Sequence, residues 1–211
     1  MRTWFAAALL ALAIGRDAEA QAPRPIPLFV FDLRGFYSAL SQDPTTAESL
    51  AVLPIDLPHR GLGGVAGVHV YPFRRGGLAF GLGGEALLAR GRSQRIDDAG
   101  APLGSPITQR LRSLTGSLSL NFGHREGWSY LSAGIGPLAF PTFLGEETPS
   151  VEAPAKSTIS MGGGARWFIN NHIAFCFDVR FHQTRPEIAL APYPARQRSR
   201  LLIMSAGIAL K

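Results

Sequence analysis

Residues 173–183 form a segment with two chemically different faces, and no other feature of the chain constrains the fold as strongly. The segment reads Ile-Ala-Phe-Cys-Phe-Asp-Val-Arg-Phe-His-Gln, and its odd-numbered positions up to 181 are all apolar. The even positions are small, charged or histidine. Because successive side chains point to opposite faces of a β-strand, the pattern predicts a strand with one apolar face and one face that carries Asp178, Arg180 and His182.

Seven more segments have the alternation or the composition of strands. In residues 109–122, leucines and a phenylalanine on one face oppose serine, threonine and asparagine on the other. Period-two alternation is the sequence signal of a strand with one covered face. In chain order the predicted strands are 28–38, 62–71, 78–89, 109–122, 128–136, 158–168, 173–183 and 200–211.

The links between these strands alternate in length. Three are short and rich in turn residues (72–77, 123–127 and 170–172), and four are long (39–61, 90–107, 137–157 and 184–199). In an antiparallel meander this alternation collects every long loop at one end, as in outer-membrane barrels with long extracellular loops and short periplasmic turns. The sequence therefore predicts an all-β fold, an eight-stranded antiparallel up-and-down transmembrane β-barrel with its apolar face toward lipid.

Aromatic residues lie beside the three short turns, where a membrane barrel has an interfacial girdle. Strand parity predicts that Phe122, Trp167 and Phe175 face lipid. The same parity predicts that Tyr71 and Trp128 cap the lumen.

The first twenty residues have the pattern of a cleaved signal peptide. Arg2 precedes an apolar stretch over residues 4–14, and Ala18-Glu19-Ala20 resembles a cleavage site. We therefore expect residues 1–20 to be a signal peptide and residues 21–211 to be the barrel domain. The net charge of +6 indicates no nucleic-acid partner by itself, the single cysteine excludes an internal disulfide, and no Cys/His spacing predicts a metal site or other cofactor.

The run Ser-Met-Gly-Gly-Gly-Ala-Arg-Trp-Phe-Ile-Asn-Asn-His-Ile-Ala-Phe over residues 160–175, with the glycine-containing closing strand, resembles the small eight-stranded outer-membrane barrels of the OmpA/OmpX type. The resemblance covers about residues 27–211. It implies location in the outer membrane, contact with outer-membrane lipid and lipopolysaccharide, and insertion by the barrel-insertion machinery. Such barrels typically end in an aromatic residue that this machinery reads, whereas this chain has Lys211 there.

Parity also predicts a polar network inside the barrel. An eight-stranded barrel is only wide enough for side chains to fill it, and a buried charge without a partner is costly. Three acids and three arginines are therefore expected to pair and to plug the lumen, although an ion or proton path or a ligand cradle stays open as an alternative. The predicted inward residues are Asp32, Arg34, His69, Glu85, Arg166, Asp178, Arg180 and His182.

Four arginines have the parity of lipid-facing residues and lie beyond the apolar band, toward the long loops: Arg110, Arg112, Arg198 and Arg200. Guanidinium groups at that height suit the phosphates of lipopolysaccharide. Because the fourth and eighth strands are not neighbours, two separate contacts are expected. The alternative is that these arginines are simply solvated.

The leading functional prediction is a non-enzymatic outer-membrane barrel that supports the envelope or displays surface loops. One alternative is a lipid A-modifying hydrolase that uses His182 with a nearby hydroxyl. The other is a soluble, lipocalin-like barrel, which would bury the apolar face and expose the charged one. The sequence predicts no particular loop partner.

Overall fold

Eight antiparallel strands form the body of the protein in the computed structural model, which describes residues 25–145, 155–185 and 200–211. The predicted signal peptide (residues 1–20) and Arg198 lie outside these ranges. Within them, the barrel strands are β1 (Phe29–Ala39), β2 (Arg60–Arg75), β3 (Leu78–Ser93), β4 (Ile107–His124), β5 (Gly127–Ala139), β7 (Lys156–Phe168), β8 (Ile173–Thr184) and β9 (Arg200–Leu210), with a short additional strand β6 (Thr142–Leu144).

The strands close into a barrel in chain order. Each barrel strand pairs antiparallel with its predecessor and its successor, and β5 pairs directly with β7. The first and last strands complete the circle, from Phe31 opposite Leu210 to Ser38 opposite Ile203. Closure removes the unpaired edge that an open sheet would expose. The predicted all-β, eight-stranded, up-and-down barrel is confirmed.

Apolar side chains cover the outside of this barrel. Along β1, the outward residues Phe29, Phe31 and Leu33 are at least half exposed, whereas the intervening Asp32 is buried. The same alternation runs through β8, the segment from which the fold was predicted. The barrel is therefore inverted relative to a soluble protein, whose apolar face would be covered.

The connections segregate by length, as predicted. Links of two to four residues (76–77, 125–126 and 169–172) lie at one end, which we call the turn end. The strand ends that the long links join lie at the other end, which we call the loop end. The strands run further than the sequence indicated. β2, for example, continues to Arg75 past an irregularity between Val70 and Phe73, where Pro72 has no N–H to donate. Gly76, at a φ of +58°, provides the tight turn that follows.

The loop end contains short elements that the sequence did not predict. Helix α1 (Pro44–Ser49) is capped by the Asp43 carboxylate, which accepts a hydrogen bond from the Thr46 N–H at 3.3 Å. A 3₁₀ turn (Pro54–Asp56) follows, and β6 pairs with the first residues of β4. Among the described residues, no helix is long and apolar enough to cross a membrane.

Candidate functional site: the barrel lumen

Inward side chains fill the lumen in three layers along its axis. The turn-end layer is apolar and aromatic and contains Ile26, Val30, Tyr71, Ala79, Trp128, Tyr130, Ala174, Cys176 and Ala209. The charged layer contains the eight inward residues named from the sequence, all of them buried: Asp32, Arg34, His69, Glu85, Arg166, Asp178, Arg180 and His182. The loop-end layer is apolar and contains Phe36, Leu40, Val65, Leu87, Leu111, Leu138, Leu201 and Ile203.

Arg34 lies at the centre of the charged layer and contacts all three acids. Its Nε is 2.9 Å from the Oδ1 of Asp32, and its Nη1 is 3.3 Å from the Oδ1 of Asp178. Its Nη2 donates a hydrogen bond to Glu85. These acids come from β1, β8 and β3, so one guanidinium links strands on different sides of the barrel.

Two more arginines complete the pairing. Arg180 donates to Glu85 Oε2 at 2.6 Å and to Asp178 Oδ2 at 3.1 Å. Arg166 donates to Asp32 Oδ2 at 2.6 Å and lies 4.5 Å from the centre of the Tyr130 ring. Each acid thus contacts two arginines, and the formal charges of the three acids and three arginines sum to zero.

His69 completes a group of potential metal ligands with Asp32 and Glu85. Its Nε2 is 3.1 Å from Asp32 Oδ2 and 3.8 Å from Glu85 Oε1. Both carboxylates are already in contact with guanidinium groups, Asp32 with Arg34 and Arg166. A divalent cation at this position would meet these positive charges at close range, so the donor set suits ion pairs better than a metal.

Inward glycines provide the space for these long side chains. A Cβ added at Gly83 would lie 2.4 Å from His69 Nδ1, and one at Gly67 would lie 2.8 Å from Asp32 Oδ1. On β7, a Cβ at Gly164 would lie 2.7 Å from the Tyr130 hydroxyl, which itself donates to Asp178 at 2.9 Å. A cavity of about 10 Å³ lies beside the charged layer, which is roughly the size that one water molecule requires.

The loop-end apolar layer was missed in the sequence analysis. It arises where both faces of a strand are apolar, as at Leu87-Leu88 and in the run from Leu201 to Met204. Consecutive apolar residues in an otherwise alternating strand are the signal that could have revealed it. The layer lies between the charged residues and the loop end, so the charges are enclosed on both sides by apolar groups.

Proteins of known structure share the fold of this barrel. No protein-family model and no curated protein matches the chain. The crystal structure of Neisserial surface protein A (NspA) is similar over 88% of this chain and 97% of that chain, with a TM-score of 0.51 and 12% identity. This chain has the fold of a small outer-membrane β-barrel. The resemblance seen in the sequence is thereby confirmed for the fold.

A second outer-membrane protein is similar to this chain with a lower TM-score. The solid-state NMR structure of outer membrane protein AlkL in DMPC lipid bilayers covers 93% of this chain and 94% of its own, with 15% identity and a TM-score of 0.41.

The outside of this outer-membrane barrel fold has aromatic residues near the turn end. Trp167 and Phe175 stack at 6.1 Å between ring centres on its outward face, and Phe122 is also exposed. Tyr71 and Trp128 point inward and are buried, with ring centres 6.0 Å apart. All five therefore lie on the sides that strand parity predicts.

Lys211 lies at the turn end, beside the aromatic residues there. Its ammonium lies 3.5 Å from the centre of the Phe168 ring and donates to the Arg125 carbonyl at 2.8 Å. The Phe168 ring in turn stacks on Trp128 at 5.2 Å. Desolvation lowers the pKa of Lys211, and the neighbouring Arg125 lowers it further.

The predicted lipid-contact arginines do not all lie together. Arg112 is exposed on β4, and Arg110 is half-buried with its guanidinium 5.5 Å from the centre of the Phe143 ring. Arg200 is exposed at the start of β9. Because β9 pairs with β1 and β8, Arg200 lies on another side of the barrel from β4.

The candidate catalytic histidine is not hydrogen-bonded to the hydroxyl directly opposite it. His182 is buried in the lumen, with Ser160 directly opposite it on β7. The Ser160 hydroxyl and His182 Nδ1 are both without a hydrogen-bond partner, so the two are not joined in a nucleophile–base pair. Both side chains also point away from the outer surface, where a lipid substrate would approach.

Proposed function

We propose that this protein is a non-enzymatic, integral outer-membrane barrel whose lumen is plugged and whose role is to hold its long loops on a rigid support at the cell surface. The observation that carries the proposal is the charged layer, in which Arg34, Arg166 and Arg180 contact Asp32, Glu85 and Asp178 across the lumen. The apolar turn-end and loop-end layers lie on either side of it along the barrel axis.

This arrangement opposes passage of ions or solutes. A permeating ion would have to separate pairs that are 2.6–3.3 Å apart, and leaving one partner of a buried pair uncompensated costs about 3–5 kcal/mol. It would then have to cross the loop-end layer, where apolar side chains such as Phe36, Val65 and Leu138 cannot replace its hydration. Both requirements support a closed barrel.

The outer surface supports placement in the membrane. Its exposed residues are apolar in the middle of the strands, and aromatic near the turn end, which is the pattern of a barrel in lipid. The long loops then face the outside of the cell and the short turns face the periplasm. A segment that folds locally, such as α1 with its Asp43 cap, would present a defined surface there.

Planar-bilayer recording tests the plug. The full chain, refolded in detergent and shown to be folded by heat-modifiable gel mobility, is expected to insert without producing a steady conductance. Protease protection of the strands after reconstitution is the control for insertion. A stable, ohmic open state of the folded wild type would contradict the closed lumen and favour the ion path.

The two alternatives make different demands on the geometry. A soluble, lipocalin-like barrel would cover Phe31 and Phe177, which are exposed here, and would solvate the charged residues that are buried. A lipid A-modifying hydrolase would need its histidine on the outer surface, whereas His182 is inside. Cell fractionation separates the first alternative, since only the membrane barrel needs detergent for extraction.

A further inference from the structure

Arginines on three neighbouring strands form one cluster on the outside of the barrel. At the loop end, β2 presents Arg60 outward, β3 presents Arg90 and Arg92, and β4 presents Arg110 and Arg112. We call these five residues the arginine patch. Only the two on β4 were singled out from the sequence, because the cluster depends on which strands pair.

The strand register brings the members of the patch close together. Arg90 and Arg110 are directly opposite each other on β3 and β4, and Arg112 is opposite Leu88, two residues from Arg90. On the other side of β3, Arg90 is opposite Leu62, two residues from Arg60. Like charges directly opposite across two strands are destabilising. An anionic group that reaches both Arg90 and Arg110 would therefore be favourable in addition to the interactions that they have within the protein.

The patch begins where the apolar band ends. Leu62, Leu88 and Leu114 are the next outward residues toward the turn end on their strands, and each is more than 60% exposed. In a membrane, this step from apolar to cationic side chains corresponds to the passage from hydrocarbon to headgroups. Arginines at that height suit phosphate because the guanidinium fork can donate two parallel hydrogen bonds.

We propose that the arginine patch binds the phosphorylated headgroup of a glycolipid of the outer leaflet, the lipid A part of lipopolysaccharide. The proposal rests on the placement of the loop end at the cell surface that was proposed above. Arg90, Arg92, Arg110 and Arg112 each have interactions within the protein, but a guanidinium has five N–H donors. It can therefore hold an intramolecular partner and a phosphate at once.

Lipid retention by the full chain tests the patch. Wild type and the triple variant Arg90→Gln, Arg110→Gln, Arg112→Gln would be reconstituted in phosphatidylethanolamine vesicles containing bisphosphorylated lipid A, dephosphorylated lipid A or phosphatidylglycerol. After detergent extraction, the lipid that stays bound is counted by mass spectrometry. We expect wild type to retain bisphosphorylated lipid A in preference to the other two. The variant should bind it more weakly by about fivefold for each arginine removed, as for basic residues at an anionic surface.

A matched variant at the turn end serves as the control. Arg74→Gln, Arg75→Gln, Arg125→Gln removes the same charge, and it should retain lipid A as wild type does. Unchanged retention in the loop-end variant would overturn the patch, as would equal retention of phosphatidylglycerol and lipid A by wild type. Loss only in the turn-end variant would overturn the patch together with the proposed orientation. Because the closed lumen is judged by conductance, it can fail or stand independently of these outcomes.

Discussion

Arg166 shows why an arginine suits the lumen better than a lysine. Its guanidinium donates to Asp32 at 2.6 Å and lies 3.4 Å from the Tyr71 hydroxyl, while the Tyr130 ring faces it at 4.5 Å. A planar fork can donate along its edge and stack on its face at the same time, whereas an ammonium is a point charge. The side chain is 1% exposed, so these contacts replace its hydration.

Replacing Arg166 by methionine should destabilise the folded barrel by about 3–5 kcal/mol, because three buried acids then face only two arginines and one negative charge is left uncompensated. The measurement is urea-induced unfolding in lipid vesicles. In the double variant Arg166→Met, Asp32→Asn, the loss should be smaller than the sum of the two single losses. Additive losses would show that the pair is not coupled.

Gly83 and Gly84 are neighbours in β3 that face opposite sides of the barrel wall. Gly83→Ala should cost roughly 1–3 kcal/mol through overpacking, because its Cβ would lie 2.4 Å from His69 Nδ1 and 2.9 Å from Ser117 Oγ. At Gly84 the nearest atom to an added Cβ is Val68 Cγ1, at 4.0 Å, so Gly84→Ala should be nearly neutral. Equal effects of the two changes on the unfolding midpoint would contradict the inward direction of Gly83.

Period-two parity is sufficient to infer that Arg34 and Asp178 point to the same side of the wall as Glu85. It cannot show which acid meets which arginine, since that depends on the stagger between strands. The contact of Arg34 with Glu85 joins residues 51 apart in the chain, and the contact of Arg166 with Asp32 joins residues 134 apart. Such pairings follow from closure of the barrel and have no local signal.

At the scale of elements, long alternating strands were predictable and short elements were not. The sequence predicted β8 almost to its ends, because about a dozen strictly alternating residues fit the two-residue period of a strand and not the period of a helix. Helix α1 has only six residues, too few to show a helical period, although Asp43 and Pro44 are a typical helix start. β6 has three residues and continues the pairing of β5 with β4, from Gln109 opposite Thr142 to Ile107 opposite Leu144.

The outward face of β8 can be tested with Phe177→Arg. Phe177 lies near the middle of the strand, opposite Ala165 on β7 and Ala206 on β9, and arginine near the bilayer midplane of a barrel costs about 2–4 kcal/mol. The matched change Phe73→Arg, close to the turn end, should cost only about 0–1 kcal/mol. Folding yield and unfolding in vesicles measure both. Equal costs at the two depths would argue against a hydrocarbon environment for this face.

At the scale of the whole molecule, the barrel wall and the first loop at its loop end are structurally separate. Residues 43–57 contribute Ala47 and Leu57 to a small cluster with Ile107, and none of the charged layer. The flanking Leu40 and His59 are joined by a backbone hydrogen bond of 3.0 Å. The first loop therefore sits on the barrel without taking part in its closure.

Replacing residues 43–57 by a short Gly/Ser linker should consequently leave a folded, heat-modifiable barrel, because shortening a surface loop changes the closure entropy only slightly. Gel mobility before and after boiling is the measurement. Replacing residues 84–87 in β3 by the same linker is the control and should abolish the folded band. Loss of the folded band in the loop variant would mean that the loop is needed for closure.

The links that Arg34 makes across the lumen also bear on how the barrel assembles. This side chain of β1 contacts Glu85 of β3 and Asp178 of β8, while Asp32 of β1 contacts Arg166 of β7. A chain that had built its central hairpins without joining β1 to β9 would hold these charges unmatched as it entered lipid. Partly assembled intermediates are therefore expected to be high in free energy. That free energy falls when the barrel closes and the ion pairs form together. We therefore expect the charged layer to favour insertion of closed barrels over incomplete ones, since the contacts of β1 with Glu85, Asp178 and Arg166 are all present in the closed barrel.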